Sequence, residues 1–96
     1  MTAAAPQTVR LRIRGTVQGV GFRWWTERTA QALGLRGWVR NRADGSVEIL
    51  ASGPEPQIAA LTQACAQGPR AARVRSVDVE PAEDDGSSGF TARGTV

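Results

Sequence analysis

One stretch constrains this chain most: Gly15-Thr16-Val17-Gln18-Gly19-Val20-Gly21-Phe22-Arg23, between an alternating apolar segment and an amphipathic one. Glycine tolerates a positive φ and lets the backbone approach a ligand closely. A turn from a strand into a helix can aim several backbone N–H groups into one concavity, and the helix start adds free donors. Arg23 adds a planar guanidinium that matches phosphate oxygens. The stretch predicts a pocket for one phosphoryl group; the alternative is a tight turn with a surface arginine.

The turn lacks the marks of two common nucleotide-binding loops. No Lys-Ser or Lys-Thr pair follows the last glycine, and Gly19-x-Gly21 has no third glycine three residues later. The chain has no histidine and a single cysteine, Cys65, which excludes an intramolecular disulfide and a cysteine-built metal site. A histidine base and a histidine-activated nucleophile are excluded as well. Any catalysis must therefore use arginine, amide side chains, carboxylates and backbone dipoles.

The charge of the chain is moderately positive. The net charge is +3 over 96 residues, and all 12 basic residues are arginine. This excess fits an anionic ligand without requiring nucleic acid. No apolar run is long enough to cross a membrane, and the N-terminus lacks the pattern of a signal peptide. We expect a cytoplasmic protein whose partners are neither nucleic acid nor membrane.

The first half of the chain predicts a tail, a strand and a helix. Residues 1–7 have no periodicity and predict a flexible N-terminal tail, followed by a single domain over 8–96. Apolar residues from Val9 to Ile13 alternate with arginines, which is typical of a strand with one buried face and one solvated face. The helix after the glycine turn ends at Gly34. Its predicted core stripe is Phe22, Trp25, Thr29, Ala30 and Leu33, with Trp24 off the stripe, near the pocket mouth or on the surface.

The second half predicts a hairpin, a second helix and two further strands. Asp44-Gly45 marks the hairpin turn, and Cys65 is expected to pack as a small apolar side chain. The acidic residues at 83–85 are expected to be solvated, with a metal site as the alternative. The predicted elements are strands at 35–41 and 47–51, a helix opened by Gly53-Pro54-Glu55 and closed by Gly68-Pro69, a strand at 76–80, a polar loop at 83–88 and a short strand at 89–93.

The order of these elements is β-α-β-β-α-β with a short C-terminal strand. Two helices cannot cover both faces of so small a sheet. We therefore predict an α+β sandwich of the split βαβ type, with both helices on one face of a mainly antiparallel sheet. The arginines of the first strand are expected on the open face.

Two motifs in register resemble a known family. Ile13-Arg14-Gly15-Thr16-Val17-Gln18-Gly19-Val20-Gly21-Phe22-Arg23 resembles the first signature of the acylphosphatase family, and Gly37-Trp38-Val39-Arg40-Asn41-Arg42-Ala43-Asp44-Gly45-Ser46-Val47 resembles the second. Leu33-Gly34-Leu35 and Gly53-Pro54-Glu55 fit as well. The resemblance spans about residues 8–93 and implies a ferredoxin-like fold.

The resemblance also implies an activity and a set of roles. Such an enzyme hydrolyses acyl phosphates to a carboxylate and inorganic phosphate, with no metal and no cofactor. We expect a monomer whose partner is a small-molecule acyl phosphate. Asn41 is implied to position the attacking water, and Arg23 to bind the phosphoryl group. The implied phosphate-binding residues are Val17, Gln18, Gly19, Val20, Gly21, Phe22 and Arg23.

Several alternatives are open at this point. Arg23 could instead pair with a carboxylate. Asn41 could instead cap the turn at Asp44-Gly45. Gln18 either orients the loop or contacts the ligand, and Trp38 is expected to pack beside the site. For the whole chain, one alternative is a single-strand RNA reader, although the first strand offers arginines where such proteins carry stacking aromatics. The other is a carrier-type module of a larger maturation enzyme.

Overall fold

The structure, a computed structural model, describes residues 6–96. The predicted tail, residues 1–7, lies outside this range except for Pro6 and Gln7, which pair with the third strand. No helix in the described range is long and apolar enough to span a membrane. The elements are β1 (Pro6–Thr16), α1 (Phe22–Ala32), β2 (Arg36–Asn41), β3 (Val47–Pro54), α2 (Glu55–Cys65), β4 (Arg73–Pro81) and β5 (Phe90–Ala92).

The strands form one sheet in the order β4-β1-β3-β2-β5. β1 pairs antiparallel with β3 and β4, and β2 pairs antiparallel with β3. β1 and β2 are thus parallel to each other with β3 between them, and α1 joins them as a split βαβ unit. The short β5 pairs parallel with β2. The predicted α+β sandwich with a mainly antiparallel sheet is confirmed.

The apolar core lies between the two helices and one face of the sheet. α2 contributes Ile58, Leu61 and Cys65, and the predicted packing of Cys65 as a small apolar side chain is confirmed. α1 differs from the prediction, because its buried residues are Phe22, Thr26 and Ala30. Trp25 and Leu33 are only partly buried and pack against the core. The rings of Trp25 and Phe22 meet edge to face, with their centroids 5.3 Å apart. α1 is therefore rotated so that Thr26, one residue beyond the predicted Trp25, faces the sheet.

The opposite face of the sheet is less solvated than predicted. Glu48 of the central strand β3 is 4% exposed on this face, among arginines of β1 and β2. Arg40 Nε and Arg42 Nη1 lie 2.7 and 2.9 Å from its Oε1, and Arg10 Nε lies 3.3 Å from its Oε2. Burial alone raises the pKa of Glu48, but the hydrogen bonds from Arg40 and Arg42 hold it below the ordinary value. The arginine row is thus built around a buried carboxylate.

The loop between β4 and β5 also covers part of this face. Asp84 pairs with Arg36, and the indole N–H of Trp38 donates to Asp85 Oδ2 at 3.0 Å. Both carboxylates stay exposed, as predicted, but each also binds a side chain of β2. Trp38 of β2 and Glu48 of β3 lie on the same face, because each alternates with core residues along its strand. The side chain of Trp38 is 6% exposed. The guanidinium groups of Arg40 and Arg93 lie over its ring, 4.5 and 5.1 Å from the centroid.

Candidate active site

The topology brings the two predicted motifs to one edge of the sheet. Because β1 and β2 are parallel, the loop that follows β1 and the residue that ends β2, Asn41, lie at the same edge. α1 starts there too, since Phe22 directly follows the loop. Val17, the first residue after β1, is buried and anchors the loop in the core. The two motifs therefore form one cleft.

The loop between β1 and α1 presents backbone N–H groups. Gly19 and Gly21 have φ angles of 73° and 79°, in the left-handed region, and a Cβ on either would meet no atom within 4 Å. Glycine is thus required there by backbone conformation rather than by crowding. Within residues 6–96, the N–H groups of residues 18–23 have no backbone acceptor, and α1 has no side-chain cap at its start. Unpartnered N–H groups at the start of a helix favour an anion. We call residues 18–23 the amide cradle.

Arg23 lies in the first turn of α1 and lines the cleft. Its Nη1 donates to the backbone oxygen of Arg93, just beyond β5, at 3.0 Å. Among the described residues, no carboxylate lies within 4.0 Å of the Arg23 guanidinium. Within this range, Arg23 therefore does not form the ion pair that was the alternative to phosphate binding. One N–H is therefore used to hold the side chain, and the rest of the planar fork is available to an anion.

Asn41 lines the same cleft from the end of β2. It is 9% exposed, and its Oδ1 is buried without a hydrogen-bond partner in the described part of the chain. Asn41 does not cap the hairpin turn, because Asp44 Oδ1 does so by accepting from Ser46 N and Oγ at 2.9 and 2.6 Å. These bonds also hold the pKa of Asp44 below its ordinary value. A buried acceptor without a partner is costly, and such groups mark functional positions or bound water.

Gln18 connects the two motifs. Its Nε2 donates to the backbone oxygens of Arg42 at 2.7 Å and Ser46 at 2.9 Å. The side chain therefore points to the β2–β3 hairpin and ties the loop to it. Trp38, expected beside the site, does not line the cleft and lies on the other face of the sheet, because it alternates with Val39 and Asn41 along β2.

The far wall of the cleft contains Trp24, which was predicted near the pocket mouth or on the surface, and two residues that were not predicted, Glu27 and Ala92. The cleft has a volume of about 330 Å³ and is also lined by Trp24, Glu27 and Ala92. The Oε2 of Glu27 accepts from the backbone N–H of Ala92 at 2.9 Å, which ties α1 to β5. The position of Glu27, four residues after Arg23 on one helix, could have identified it. No local signal predicts Ala92, because its place depends on the parallel pairing of β5 with β2.

Other candidate groups of the sequence are not arranged as sites. Cys65 is fully buried, and burial raises the pKa of its thiol to about 12. Within residues 6–96, no three histidine, cysteine, aspartate or glutamate side chains converge as metal ligands would. Arg10, Arg12 and Arg14 line a second cleft on the open face, of about 240 Å³. Each of these arginines already pairs with a carboxylate, unlike Arg23.

Fold and site together define a small α+β domain that presents the amide cradle, Arg23 and Asn41 at one edge of the sheet. The acylphosphatase family model matches residues 9–92. An acylphosphatase of Rhizorhabdus wittichii is 49% identical over 87 residues, which is 91% of this chain and 88% of that protein. The chain belongs to the acylphosphatase family.

Solved structures agree with this assignment. The crystal structure of acylphosphatase from Bacillus subtilis matches with a TM-score of 0.87 at 36% identity, over 93% of this chain and 99% of that one. The crystal structure of full-length HypF in the phosphate- and nucleotide-bound form matches with a TM-score of 0.89 at 28% identity, over 98% of this chain and 12% of that one. The predicted family, the ferredoxin-like fold and the enzyme class, an acylphosphatase, are confirmed.

Proposed function

We propose that the cleft hydrolyses the carboxyl–phosphate bond of acyl phosphates, with the amide cradle and Arg23 holding the phosphoryl group and Asn41 orienting the attacking water. One observation carries the proposal: Arg23, Asn41 and glycines of the cradle line the same cleft. The roles follow from what each group offers chemically. The cradle and Arg23 offer donors only, whereas Asn41 offers a buried acceptor.

The phosphoryl group binds through charge and donors. Phosphoryl transfer requires mainly positioning of the reactants and stabilisation of charge on the three equatorial oxygens. Backbone N–H groups of residues 18–23 supply fixed dipoles that need no rearrangement during the reaction. Arg23 supplies the full positive charge. Its bond to the Arg93 carbonyl fixes the side chain, so that less conformational freedom is lost when a phosphate binds.

Asn41 acts on the water through its carboxamide oxygen. An amide does not take a proton at neutral pH, so Asn41 is not a base, but Oδ1 accepts a hydrogen bond and holds the water in line. The water oxygen then bonds to phosphorus as the bond from phosphorus to the acyl oxygen breaks. The carboxylate leaves without needing a general acid. The proton of the water passes to a phosphate oxygen of the substrate.

The choice of proton acceptor follows from the carboxylates of the cleft. Glu27 is the only carboxylate among the described residues that line it. Its Oε2 already accepts from the N–H of Ala92, which favours a phosphate oxygen as the acceptor.

The proposal is tested by kinetics on benzoyl phosphate with inorganic phosphate as a competitive inhibitor. Loss of a preorganised donor to a developing anion typically lowers kcat by about 100-fold or more, and we expect this for Arg23→Ala. Arg23→Lys should not restore the activity, because lysine lacks the planar fork. Asn41→Ala should lower kcat with a smaller effect on the inhibition constant of phosphate.

Arg70 provides the matched control for these variants. Arg70→Ala removes an exposed arginine that does not line the cleft, and it should behave like the wild type. Chelators should have no effect on the rate. Activity of the Arg23 and Asn41 variants equal to that of the wild type would remove both assignments.

Two rival functions are less well supported. RNA readers stack bases on exposed aromatic side chains of the open face, whereas Trp38 on that face is buried between Arg40 and Arg93. The likeness to HypF supports a module of a larger enzyme, but it rests on 28% identity against 49% for the acylphosphatase relative. Turnover of benzoyl phosphate by the isolated chain separates an enzyme from both rivals.

The biological setting is part of the same proposal. We propose that residues 8–96 act as one domain, as a cytoplasmic monomer without a cofactor, a nucleic-acid partner or a membrane partner. The substrate is a small acyl phosphate and inorganic phosphate is a product. Sedimentation of the purified chain at a mass of 10.2 kDa would agree with the monomer, and a dimer mass would contradict it.

A further inference from the structure

The cleft is larger than a phosphoryl group requires. Its volume is about 330 Å³, and its lining extends beyond the cradle, Arg23 and Asn41. The cradle, Arg23 and Asn41 form the part of the cleft that suits the phosphoryl group. Apart from the buried Val17, the remaining wall consists of Trp24, Glu27 and Ala92. A substrate whose phosphoryl group lies on the cradle can therefore place its acyl group against this wall.

The wall combines an apolar surface with a negative charge. Trp24 is 62% exposed, and the guanidinium of Arg28 lies over its ring at 4.8 Å from the centroid. This contact holds the indole in place while leaving much of it open to the solvent. Exposed aromatic rings are strong binding surfaces for flat apolar groups. Ala92 adds a small apolar side chain at the end of β5.

Glu27 brings the negative charge into the wall. Its carboxylate is fixed by the N–H of Ala92 and has no arginine within 4.0 Å in the described part of the chain. Arg28 and Arg93 stack on Trp24 and Trp38 and do not line the cleft. Arg23 does line it, but it donates to the Arg93 carbonyl and makes no ion pair with Glu27 among the described residues. An anionic group on the acyl part would therefore meet an uncompensated carboxylate.

We infer that Trp24, Glu27 and Ala92 form an acyl subsite that selects uncharged acyl groups with an apolar face and disfavours acyl groups that carry a carboxylate. This inference rests on the proposed function, because it assumes that the phosphoryl group lies on the cradle. Trp24 contributes affinity and Glu27 contributes the discrimination by charge. Both are specificity-determining residues of the same cleft.

Binding of phosphonates, which are not hydrolysed, tests the subsite apart from catalysis. Calorimetry compares methylphosphonate, benzylphosphonate and 4-carboxybenzylphosphonate. Benzylphosphonate should bind about tenfold more tightly than methylphosphonate, since a ring stacked on an indole is worth about that factor. Trp24→Ala should remove this difference, and Trp24→Phe should keep most of it. Equal affinity of the two compounds for the wild type would overturn the inference.

The charge discrimination is measured by a ratio of affinities. The wild type should bind benzylphosphonate more tightly than 4-carboxybenzylphosphonate. Glu27→Gln should reduce the ratio of these two affinities about fivefold, because the repulsion of two unit charges at contact distance is worth about that factor even in water. This substitution removes the charge but keeps an oxygen that can accept from the N–H of Ala92. Glu55→Gln makes the same charge change outside the cleft and should leave the ratio unchanged. An unchanged ratio in Glu27→Gln would refute the role of Glu27.

The same design separates this inference from the proposed function. If the affinities follow the expected pattern but the wild type does not hydrolyse benzoyl phosphate, the catalytic proposal fails and the subsite stands. If benzoyl phosphate is hydrolysed but the affinities do not depend on Trp24 or Glu27, the subsite fails and the catalytic proposal stands.

Discussion

Replacing Gln18 by methionine should uncouple the two halves of the site. The amide of Gln18 bridges the cradle to the β2–β3 hairpin through the backbone oxygens of Arg42 and Ser46. Asn41 immediately precedes this hairpin, and we therefore expect Gln18 to position the carboxamide of Asn41. Methionine has a similar shape without the two donors, and Gln18→Met therefore removes the bridge with little change in volume.

The structure sets the magnitude of the effect. Both carbonyls keep a second donor, because Gly45 N bonds to Arg42 O at 3.0 Å and Arg42 N bonds to Ser46 O at 2.9 Å. No buried acceptor is then left without a partner, so each lost bond costs only the usual net value of about 1 kcal/mol, or about 2 kcal/mol together. A loss of this size lowers the Tm of a domain this small by about 8–16 °C. A displacement of about 1 Å at a reacting group can cost up to 100-fold in rate, and we expect kcat to fall at least tenfold.

The assay combines thermal unfolding with kinetics on benzoyl phosphate. Gln31→Met is the matched control, since Gln31 Nε2 donates to the backbone oxygen of Phe90 at 3.0 Å near the other end of α1. It should lower Tm by about half as much, with a smaller effect on kcat, because one bond of about 1 kcal/mol is lost. A kcat of Gln18→Met no lower than that of the control would show that Gln18 only stabilises the fold, and would refute the reasoning.

Three further predictions concern single residues. Gly21→Ala places alanine at a φ of 79°, and the control Gly34→Ala places it at 72°, so each should lower the free energy of unfolding by about 1–2 kcal/mol. Only Gly21→Ala should weaken phosphate binding. Equal phosphate affinity of the two variants would contradict the role of the cradle. Glu48→Gln should lower the free energy of unfolding by about 2 kcal/mol at neutral pH. Because the folded state lowers the pKa of Glu48, its stabilisation is present above the ordinary value of 4.5 and is lost as the pH falls below it, so the wild type and the variant should converge in acid urea titrations. Cys65 should resist iodoacetamide in the native state at pH 8 and react in denaturant, since its pKa is about 12; rapid native labelling would contradict its burial.

The sequence predicted the parts of the fold that depend on local patterns. Alternation from Val9 to Ile13 and the glycines before Phe22 are local signals, and both gave the correct element types. The burial of Glu48 and Trp38 was missed because it depends on arginines from neighbouring strands and on the loop before β5. Those contacts join residues far apart in sequence, and no local pattern encodes them.

The candidate site shows the same division. Arg23 and Asn41 were identified from motifs, and their common cleft follows from the parallel order of β1 and β2. The bridge from Gln18 was not predicted, because it depends on which backbone groups the side chain meets. Glu27 was not predicted either, although its position four residues after Arg23 places both on one face of α1. Ala92 and the Arg93 carbonyl require the parallel pairing of β5, a long-range contact with only three paired positions.

A titration with inorganic phosphate followed by amide NMR tests whether the amide cradle and Arg23 bind the phosphoryl group. Arginines line more than one cleft of the described residues: the candidate active site contains Arg23, and a cleft on the open face contains Arg10, Arg12 and Arg14. We expect the backbone amide signals of residues 18–23 and the guanidinium signal of Arg23 to shift together, with one dissociation constant. Shifts confined to the arginines of the open face, with the amides of residues 18–23 unmoved, would contradict it.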